Sequence, residues 1–297
     1  MIDFKDFGIE DNVRYLEYVK RCIQIPSNGS PLIAFGYKKK LKLLRGYEAE
    51  LCWHKFFIDD AEFWAAPVGD WDNIDWQAVF ATHVPPETVF FAVPEYLVEI
   101  WKRELGEKVL VEDQRDNWDY LLDLKRLVSL EGNKLKSFRK AKKAFEKNYD
   151  YEIEVITPKI FDELYAFQSS AEEDIKQRVE NHLIEAQEDD DNFSFALNHW
   201  EDFKNLFGFV IRVEGRIVAY CLDEQINETT SFGLFAKANY DFKGANQFAY
   251  WYDAKINLER GILTTNIMDD AGEENLRSFK EHLTSDMLKK YFVTTKG

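Results

Sequence analysis

Long apolar runs are missing from this sequence, and cysteine and histidine are scarce. No run approaches the roughly 20 residues that a transmembrane helix needs. The acidic start, MIDFKDFGIEDN, lacks the basic and then apolar layout of a secretion signal. Cys22, Cys52 and Cys221 are widely spaced, and the five histidines show no metal-ligand spacing. We therefore expect buried free thiols, no metal site and a cytoplasmic location.

Positive charge is also in short supply. The chain has 38 Lys and Arg residues against 54 Asp and Glu residues, which gives a net charge of −16. Because phosphate contacts require a positive field, this balance argues against general binding of DNA or other nucleic acids. The charge is uneven, since residues 134–147 hold seven basic residues and one Glu, whereas residues 171–191 hold nine acids and two bases. A local basic segment on an acidic body can still bind one specific anion.

Apolar and aromatic residues are plentiful. Of the 297 residues, 45% are hydrophobic and 15% are aromatic, which is enough to fill sizeable cores. A disordered chain would not carry this aromatic load. The length predicts about two domains.

The second half of the chain has the clearest succession of predicted elements. Alternation and helical periodicity predict a strand at 151–156, a helix from Pro158 through Phe167, a polar helical region broken at 188–191, strands at 206–213, 216–224 and 229–235, a helix at 245–258, a strand at 264–268, a helix from Asp270 with Glu273 in a capping box, and a strand at 290–295. Glu214-Gly215 is a two-residue hairpin signal between two of these strands. The inferred order of elements is that of a GNAT acyltransferase module.

The first half predicts a similar plan. The expected elements are a helix at 13–23, a hairpin of 54–58 and 62–65 about Asp59-Asp60, a helix at 74–83, a strand at 88–93, a helix at 94–105 and a strand at 108–112. Between the halves, Leu135, Phe138, Ala141 and Phe145 form the apolar stripe of a basic amphipathic helix. We predict an α+β fold of two tandem GNAT-like modules, 1–117 and 150–297, joined by a bridging basic helix region at 118–149, with the candidate site in the second module.

Three segments carry a resemblance to a known family. Residues 130–145, LEGNKLKSFRKAKKAF, resemble the family's Leu-x-Gly-x-Lys, Lys-Arg-Asn and closing Phe. Residues 235–240, FAKANY, are similar to its Glu-Lys-Ala-Asp segment, and residues 266–280, NIMDDAGEENLRSFK, resemble its Asn, Asp-x-Gly and Leu-Arg-x-x-Lys pattern. The family is the phosphatidylglycerol lysyltransferase C-terminal domain.

The resemblance implies a tandem GNAT fold and transfer of an aminoacyl group from charged tRNA to a lipid headgroup. The chain departs from the pattern at Phe138-Arg139-Lys140, which lacks the Asn, and at Ala236, where the family has Glu. The family's Ser-Tyr-x-Pro element after Lys280 is replaced by Glu-His-Leu-Thr. The exact reaction and the acceptor therefore do not follow from the resemblance.

The strongest candidate residues lie at 269–280. A carboxylate of Asp269 or Asp270, at the end of a strand where the sheet opens, would hold the α-ammonium of an aminoacyl group. Arg277 would clamp a phosphate or carboxylate, and Lys280 lies on the same helix face. The structural alternative is a helix cap by Asp270 and an Asp–Arg surface pair.

Other candidates are more scattered. Lys237 would meet a phosphate or polarise a carbonyl, and Asn266 would bond the acyl carbonyl. Glu224 and Tyr250 are candidates for proton handling. Further substrate-binding candidates are Arg139 and Lys136, which would attract the tRNA end or a lipid phosphate. Each has a structural alternative, namely a solvated lysine, a satisfied buried Asn, or a basic helix face that complements the acidic body.

Direct aminoacyl transfer is the preferred mechanism, with aminoacyl-tRNA as the donor and no required cofactor. An aminoacyl ester is already activated, so orientation and charge stabilisation suffice. One alternative is an acyl-CoA-dependent N-acyltransferase, although the loop 241–247 has one glycine and no clean pyrophosphate-binding motif. The other alternative is a non-catalytic binding module on a degenerate fold.

Overall fold

A computed structural model describes residues 1–178, 183–284 and 286–296, and the side chains outside 172–189. The strands are Leu44–Glu48 (β1), Leu51–Ile58 (β2), Ala61–Ala65 (β3), Val68–Gly69 (β4), Val89–Pro94 (β5), Val109–Asp113 (β6), Asp119–Asp123 (β7), Tyr151–Val155 (β8), Leu206–Val213 (β9), Arg216–Gln225 (β10), Thr230–Ala238 (β11), Thr264–Asn266 (β12), Asp286–Leu288 (β13) and Lys290–Thr295 (β14). The α-helices are Asn12–Val19 (α1), Pro31–Lys38 (α2), Trp76–His83 (α3), Glu95–Leu105 (α4), Leu124–Ser129 (α5), Lys136–Asn148 (α6), Phe161–Arg178 (α7), Leu183–Asn198 (α8), Ala245–Glu259 (α9) and Glu274–Leu283 (α10).

The chain forms two compact units that are not continuous in sequence. The first unit consists of Met1–Tyr120, Met268–Lys280 and Asp286–Gly297, and the second consists of Leu121–Ile267 and Glu281–Ser285. This division differs from the boundaries predicted from the sequence, which assigned all residues after 150 to the second module. The physical reason is the pairing of β14 with β5 on one side and β6 on the other, both antiparallel, in the first unit.

The sheet of the first unit has the order β1-β2-β3-β5-β14-β6, with β4 against β2. Its β3 and β5 are parallel and pair at only two positions, Trp64 with Phe90 and Ala65 with Phe91. The predicted hairpin about Asp59-Asp60 is confirmed, since both residues have positive φ values (49° and 65°), as a type I′ turn requires. One face buries a core rich in aromatic rings, including Trp53, Trp76, Trp101 and Phe90.

The sheet of the second unit runs β7-β12-β11-β10-β9-β8. The predicted hairpin at Glu214-Gly215 is confirmed, with φ values of 51° and 76°. β11 pairs with β12 in parallel from Thr230 to Phe232, and from Gly233 onward it pairs with β10 alone. The sheet therefore opens between β11 and β12, as a GNAT-like module requires.

The basic amphipathic helix is α6, and it lies in the second unit. Its predicted apolar stripe is confirmed, because Leu135, Phe138 and Phe145 are buried. Phe145 stacks on Phe248 of α9 with 5.0 Å between ring centroids. Burial of this face fixes which side of α6 remains toward solvent.

Several boundary predictions are wrong: the helix predicted at 13–23 ends at Val19, the strand predicted at 264–268 ends at Asn266, and two further boundaries matter more. The polar helical region is not broken at 188–191, because α8 continues through these residues to Asn198. α10 does not start at Asp270, since Ala271 and Gly272 have φ values of 49° and 82°, which a right-handed helix excludes. The helix begins at Glu274, and the loop 268–272 that precedes it shapes the candidate site.

Cys52 and Cys221 are buried free thiols, as predicted, and Cys22 is partly buried. Within the described ranges, no three His, Cys, Asp or Glu side chains are grouped so that they could hold a metal ion. No helix in these ranges is long and apolar enough to cross a membrane.

Candidate functional site

The loop between β12 and α10 builds a cluster of charges in the first unit around Asp270. This carboxylate is fully buried. It accepts hydrogen bonds from Gly272 N (2.9 Å), Tyr120 Oη (2.5 Å), Arg115 Nη1 (3.2 Å), Arg277 Nε (3.0 Å) and Arg277 Nη2 (2.8 Å). Both carboxylate oxygens are therefore engaged by groups of the protein itself.

Asp270 is ionised despite its burial. Burial raises the pKa of this carboxyl, but the hydrogen bonds from Arg277, Tyr120 and the Gly272 N–H together lower its pKa to about 2. The carboxylate fixes the Arg277 guanidinium through a bidentate contact. It thus acts as the anchor of the loop and of Arg277.

Arg277 joins this anchor to a second carboxylate. Its Nη2 also donates to Asp116 Oδ1 at 2.6 Å. The hydrogen bonds to Asp270 and Asp116 raise the pKa of Arg277 above its ordinary value. The side chain is 27% exposed, so a positive charge of fixed orientation meets solvent here.

Asp269 has a different setting from its neighbour Asp270. Its side chain is 29% exposed. Oδ1 accepts a hydrogen bond from Ala271 N (3.2 Å), and Oδ2 lies 3.5 Å from Lys290 Nζ. Lys280, which is buried, donates its Nζ to the main-chain oxygen of Asp269 at 2.5 Å. Of the two predicted carboxylates, Asp269 is the one that a ligand can reach.

A buried ion pair that sequence reasoning missed stands behind Asp269. Lys290 on β14 is 2% exposed, and its Nζ lies 2.6 Å from Asp119 Oδ1 and 3.2 Å from Ser27 Oγ. Asp119 also accepts hydrogen bonds from the Ser27 N–H (2.7 Å) and hydroxyl (2.8 Å). The sequence gives only a weak signal for this pair, because Asp119 and Lys290 are simply charged residues at the start of β7 and β14. The cluster as a whole holds four carboxylates and four cations.

The remaining predicted residues belong to the second unit. Asn266 is buried at the last position where β12 pairs with β11, opposite Phe232. Lys237 is partly exposed on β11, and Tyr250 is partly buried on α9. Glu224 is fully buried on β10, and its Oε1 accepts a hydrogen bond from Asn205 (3.3 Å). Burial raises the pKa of Tyr250, which keeps this phenol protonated.

The two predicted residues on α6 differ in exposure. Lys136 is exposed. Arg139 is partly buried, and its Nη1 donates to the carbonyl of Leu130. The guanidinium therefore provides a hydrogen-bond donor for a main-chain carbonyl at the C-terminal end of α5, where Leu130 has a left-handed conformation.

Next to Glu224 lies a carboxyl pair that the sequence did not reveal. Asp223 on β10 and Asp253 on α9 are both buried and are hydrogen-bonded to each other. Asn257 Nδ2 donates to Asp223 Oδ2 at 2.6 Å, and Asn257 Oδ1 accepts from Ser231 Oγ at 2.8 Å. Burial raises the pKa of Asp223 to about 7. One of the two carboxyls therefore carries a proton.

Residues 59–294 match the sequence model of the family described as phosphatidylglycerol lysyltransferase, C-terminal. No curated protein matches the chain. Among solved structures, a conserved protein of unknown function from Bacteroides thetaiotaomicron VPI-5482 is similar over all of both chains, with 22% identity and a TM-score of 0.90.

Two further solved structures carry the family's name. The C-terminal domain of a putative lysylphosphatidylglycerol synthetase from Agrobacterium fabrum has 14% identity and a TM-score of 0.64, over 96% of this chain and 93% of that one. L-PGS from Bacillus licheniformis has 13% identity and a TM-score of 0.59, over 92% and 94%. At these identities the likeness shows the fold. The predicted fold class, α+β with two tandem GNAT-like modules, is confirmed.

Proposed function

Because the chain belongs to the phosphatidylglycerol lysyltransferase C-terminal family, we propose that it transfers an aminoacyl group from aminoacyl-tRNA to a lipid headgroup or another small acceptor. The observation that carries the proposal is that Asp269 is accessible while the next residue, Asp270, anchors Arg277 in the same unit. A site for an aminoacyl ester needs an anion for the α-ammonium and a cation for a phosphate. The cluster offers both.

In this proposal each member of the cluster has a separate role. Asp269 binds the α-ammonium of the donor, and Asp270 is a positioning residue because its oxygens are occupied by protein donors. Arg277 faces the phosphate of the acceptor or of the tRNA, whereas the buried Lys280 is a positioning residue that donates to the main-chain oxygen of Asp269. Lys290, held by Asp119, fixes the Asp269 side chain from behind.

The chemistry is a direct acyl transfer. The acceptor hydroxyl or amine forms a bond to the ester carbonyl carbon, and the bond from that carbon to the tRNA ribose oxygen breaks. The proton lost by the acceptor ends on the ribose oxygen. Positive charge at fixed positions stabilises the oxyanion that develops, and no cofactor besides the donor is needed. The roles predicted for Asn266, Lys237, Glu224 and Tyr250, which all lie in the second unit, remain separate predictions.

The test is incubation of the protein with radiolabelled lysyl- and alanyl-tRNA and a total lipid extract. We expect labelled lipid or a labelled small acceptor, and Asp269→Asn should abolish it while the melting temperature stays unchanged. Glu107→Gln, an exposed carboxylate of the same unit, is the matched control and should retain full transfer. Absence of any labelled product, with deacylation no faster than in buffer, would refute the proposal.

The acyl-CoA alternative is less well supported by the geometry of the second unit. Gly244 immediately precedes α9, where a GNAT enzyme holds the pyrophosphate of coenzyme A on the first turn of a helix. A Cβ at Gly244 would lie 2.1 Å from the carbonyl oxygen of Ala141, so α6 packs directly against this turn. Micromolar binding of acetyl-CoA in calorimetry would nevertheless favour this alternative.

The non-catalytic alternative makes a different prediction. If the fold serves only as a binding module, Arg277→Ala and Lys280→Ala should leave every biological readout unchanged. If the proposal is correct, each should reduce transfer. Circular dichroism of both variants separates a loss of chemistry from a loss of fold.

A further inference from the structure

A buried arginine on β1 lacks the counter-charge that such a residue normally has. Arg45 is 3% exposed. Its guanidinium carbon lies 3.9 Å from the ring centroid of Phe7 and 4.3 Å from that of Tyr15, and its Nε donates to His54 Nε2 at 2.8 Å. Nη1 and Nη2 are also buried, and in the part of the chain that the structure describes they have no hydrogen-bond partner. No Asp or Glu of that part forms an ion pair with Arg45.

The neighbouring side chains are neutral and cannot supply the missing charge. Arg45 pairs with His54 across β1 and β2, and Tyr47 pairs with Cys52, so these four side chains lie on one face of the sheet. Burial, and after it the charge of Arg45, lowers the pKa of His54 well below its ordinary value. Burial raises the pKa of the Cys52 thiol and that of the Tyr47 phenol, each to about 12. Because arginine stays protonated, the guanidinium is one buried positive charge among neutral groups.

Two further polar side chains of this region have unsatisfied atoms. Tyr47 lies next to the guanidinium, whose charge acts against the rise in the pKa of this phenol, but its buried hydroxyl makes no hydrogen bond within the described ranges. Asn12 is 7% exposed on the face of α1 that also carries Tyr15, and among the described residues neither its amide nitrogen nor its amide oxygen has a partner. Buried donors without acceptors are costly, so this arrangement favours an acceptor from outside the chain.

The charge and the available space select a small monovalent anion. One negative charge neutralises the single guanidinium, whereas a dianion would leave a buried charge of the opposite sign. A narrow cleft reaches Tyr15 and His54, which both contact Arg45, and it has room for about one water molecule. A bulky organic anion therefore does not fit beside these residues.

We propose that Arg45, through Nη1 and Nη2, and the hydroxyl of Tyr47 bind a chloride ion beneath α1 in the first unit. The ion supplies the missing charge where α1 packs on β1 and β2, so it stabilises the fold and is independent of the proposed transfer. Binding to the folded state raises the melting temperature by mass action. At a chloride concentration about ten times the dissociation constant, the rise should be about 3 to 6 °C.

The experiment compares thermal unfolding in sodium chloride and in sodium gluconate at equal ionic strength, for the unaltered protein and two arginine variants. Arg45→Met removes the charge and keeps most of the side-chain length, so the difference between the two salts should disappear. Arg21→Met is the matched control, because Arg21 also lies over a tyrosine ring (Tyr18, 4.4 Å) but is 40% exposed and donates to the Glu17 carbonyl. The control should keep the full difference, which separates anion binding from general effects of the two salts.

Two further measurements do not depend on the folding of Arg45→Met. Tyr47→Phe keeps the ring and loses one donor to the ion, so half of the chloride effect should require roughly tenfold more chloride than in the unaltered protein. In crystals of the unaltered protein grown with bromide, anomalous diffraction should place one bromide ion in contact with the Arg45 guanidinium.

Several results would overturn the inference. They are equal melting temperatures of the unaltered protein in the two salts, the same salt difference in Arg45→Met, an unchanged chloride midpoint in Tyr47→Phe, or ordered water alone at the guanidinium in the bromide crystals. A sulfate effect that depends on Arg45 and exceeds that of chloride would contradict the assignment to a monovalent ion. All of these measurements are made without substrate, so a failure of the proposed transfer leaves their outcome unchanged.

Discussion

The carboxyl pair Asp223–Asp253 should make the stability of the second unit depend on pH. The two side chains are buried, hydrogen-bonded to each other and placed in one network with Asn257. Two carboxylates in contact cannot both ionise cheaply in a buried site. Burial raises the pKa of Asp223 to about 7 and raises that of Asp253 well above its ordinary value.

The sign follows from the proton count. In the unfolded chain both carboxyls lose their protons near pH 4, whereas the folded pair retains them to higher pH. The folded state therefore binds more protons than the unfolded state, and the free energy of unfolding falls as pH rises from 4 to 7. A shift of Asp223 from 3.8 to about 7 corresponds to about 4 kcal/mol. The neighbours that face the pair are Cys221, Tyr250 and Arg260.

The assay is urea unfolding at pH 5, 6, 7 and 8. Unfolding is monitored by pulsed hydrogen exchange of peptides from β10 and α9. These peptides report on the second unit alone. In Asp223→Asn, the free energy of unfolding should fall with rising pH by several kcal/mol less than in the unaltered protein, because one buried titrating group is lost. Asp241→Asn, an exposed carboxyl of the same unit, should leave it unchanged. If the unaltered protein and Asp223→Asn show the same pH dependence, the pair does not hold an extra proton.

Three further substitutions test the first unit and the packing of α6 by urea unfolding. Asp270→Ala leaves three donor side chains without their acceptor and should cost about 3 kcal/mol; a cost below about 1 kcal/mol would contradict its role as the anchor. Lys290→Met leaves Asp119 buried and unpaired and should cost a similar amount, most of which a second change, Asp119→Leu, should restore; no recovery would contradict the pairing. Gly244→Ala should cost clearly more than Gly132→Ala, because both glycines have positive φ but only the first meets a backbone oxygen; equal costs would contradict the close approach of α6.

Local patterns predicted most of the secondary structure. Alternation and turn chemistry placed the hairpin of β9 and β10 and that of β2 and β3, because a two-residue turn fixes the register of its strands. The stripe of α6 was also readable, since helical spacing alone determines it. These features depend on contacts between residues that are near one another in sequence.

The site was only partly predictable, because its contacts are distant in sequence. Asp270 and Arg277 were both candidates, but their partners Arg115 and Tyr120 lie 155 and 150 residues before Asp270. Lys290 and Asp119 are 171 residues apart. For the same reason, the sequence did not predict that β14 belongs to the first unit, since its partners β5 and β6 lie far earlier in the chain. Only the fold brings such residues together, and no pattern in a single sequence encodes it.

Asp269 and Asp270 show why neighbouring residues of one motif need separate tests. From the sequence, either residue could bind the α-ammonium, since both are carboxylates that follow a strand. The delayed start of α10 and the positive φ of Met268, Ala271 and Gly272 turn the two side chains into different environments. Asp270 is engaged by protein donors throughout, so its substitution reports on stability, whereas Asp269 is accessible, so its substitution reports on chemistry. An activity loss at Asp270 alone would therefore say little about the reaction.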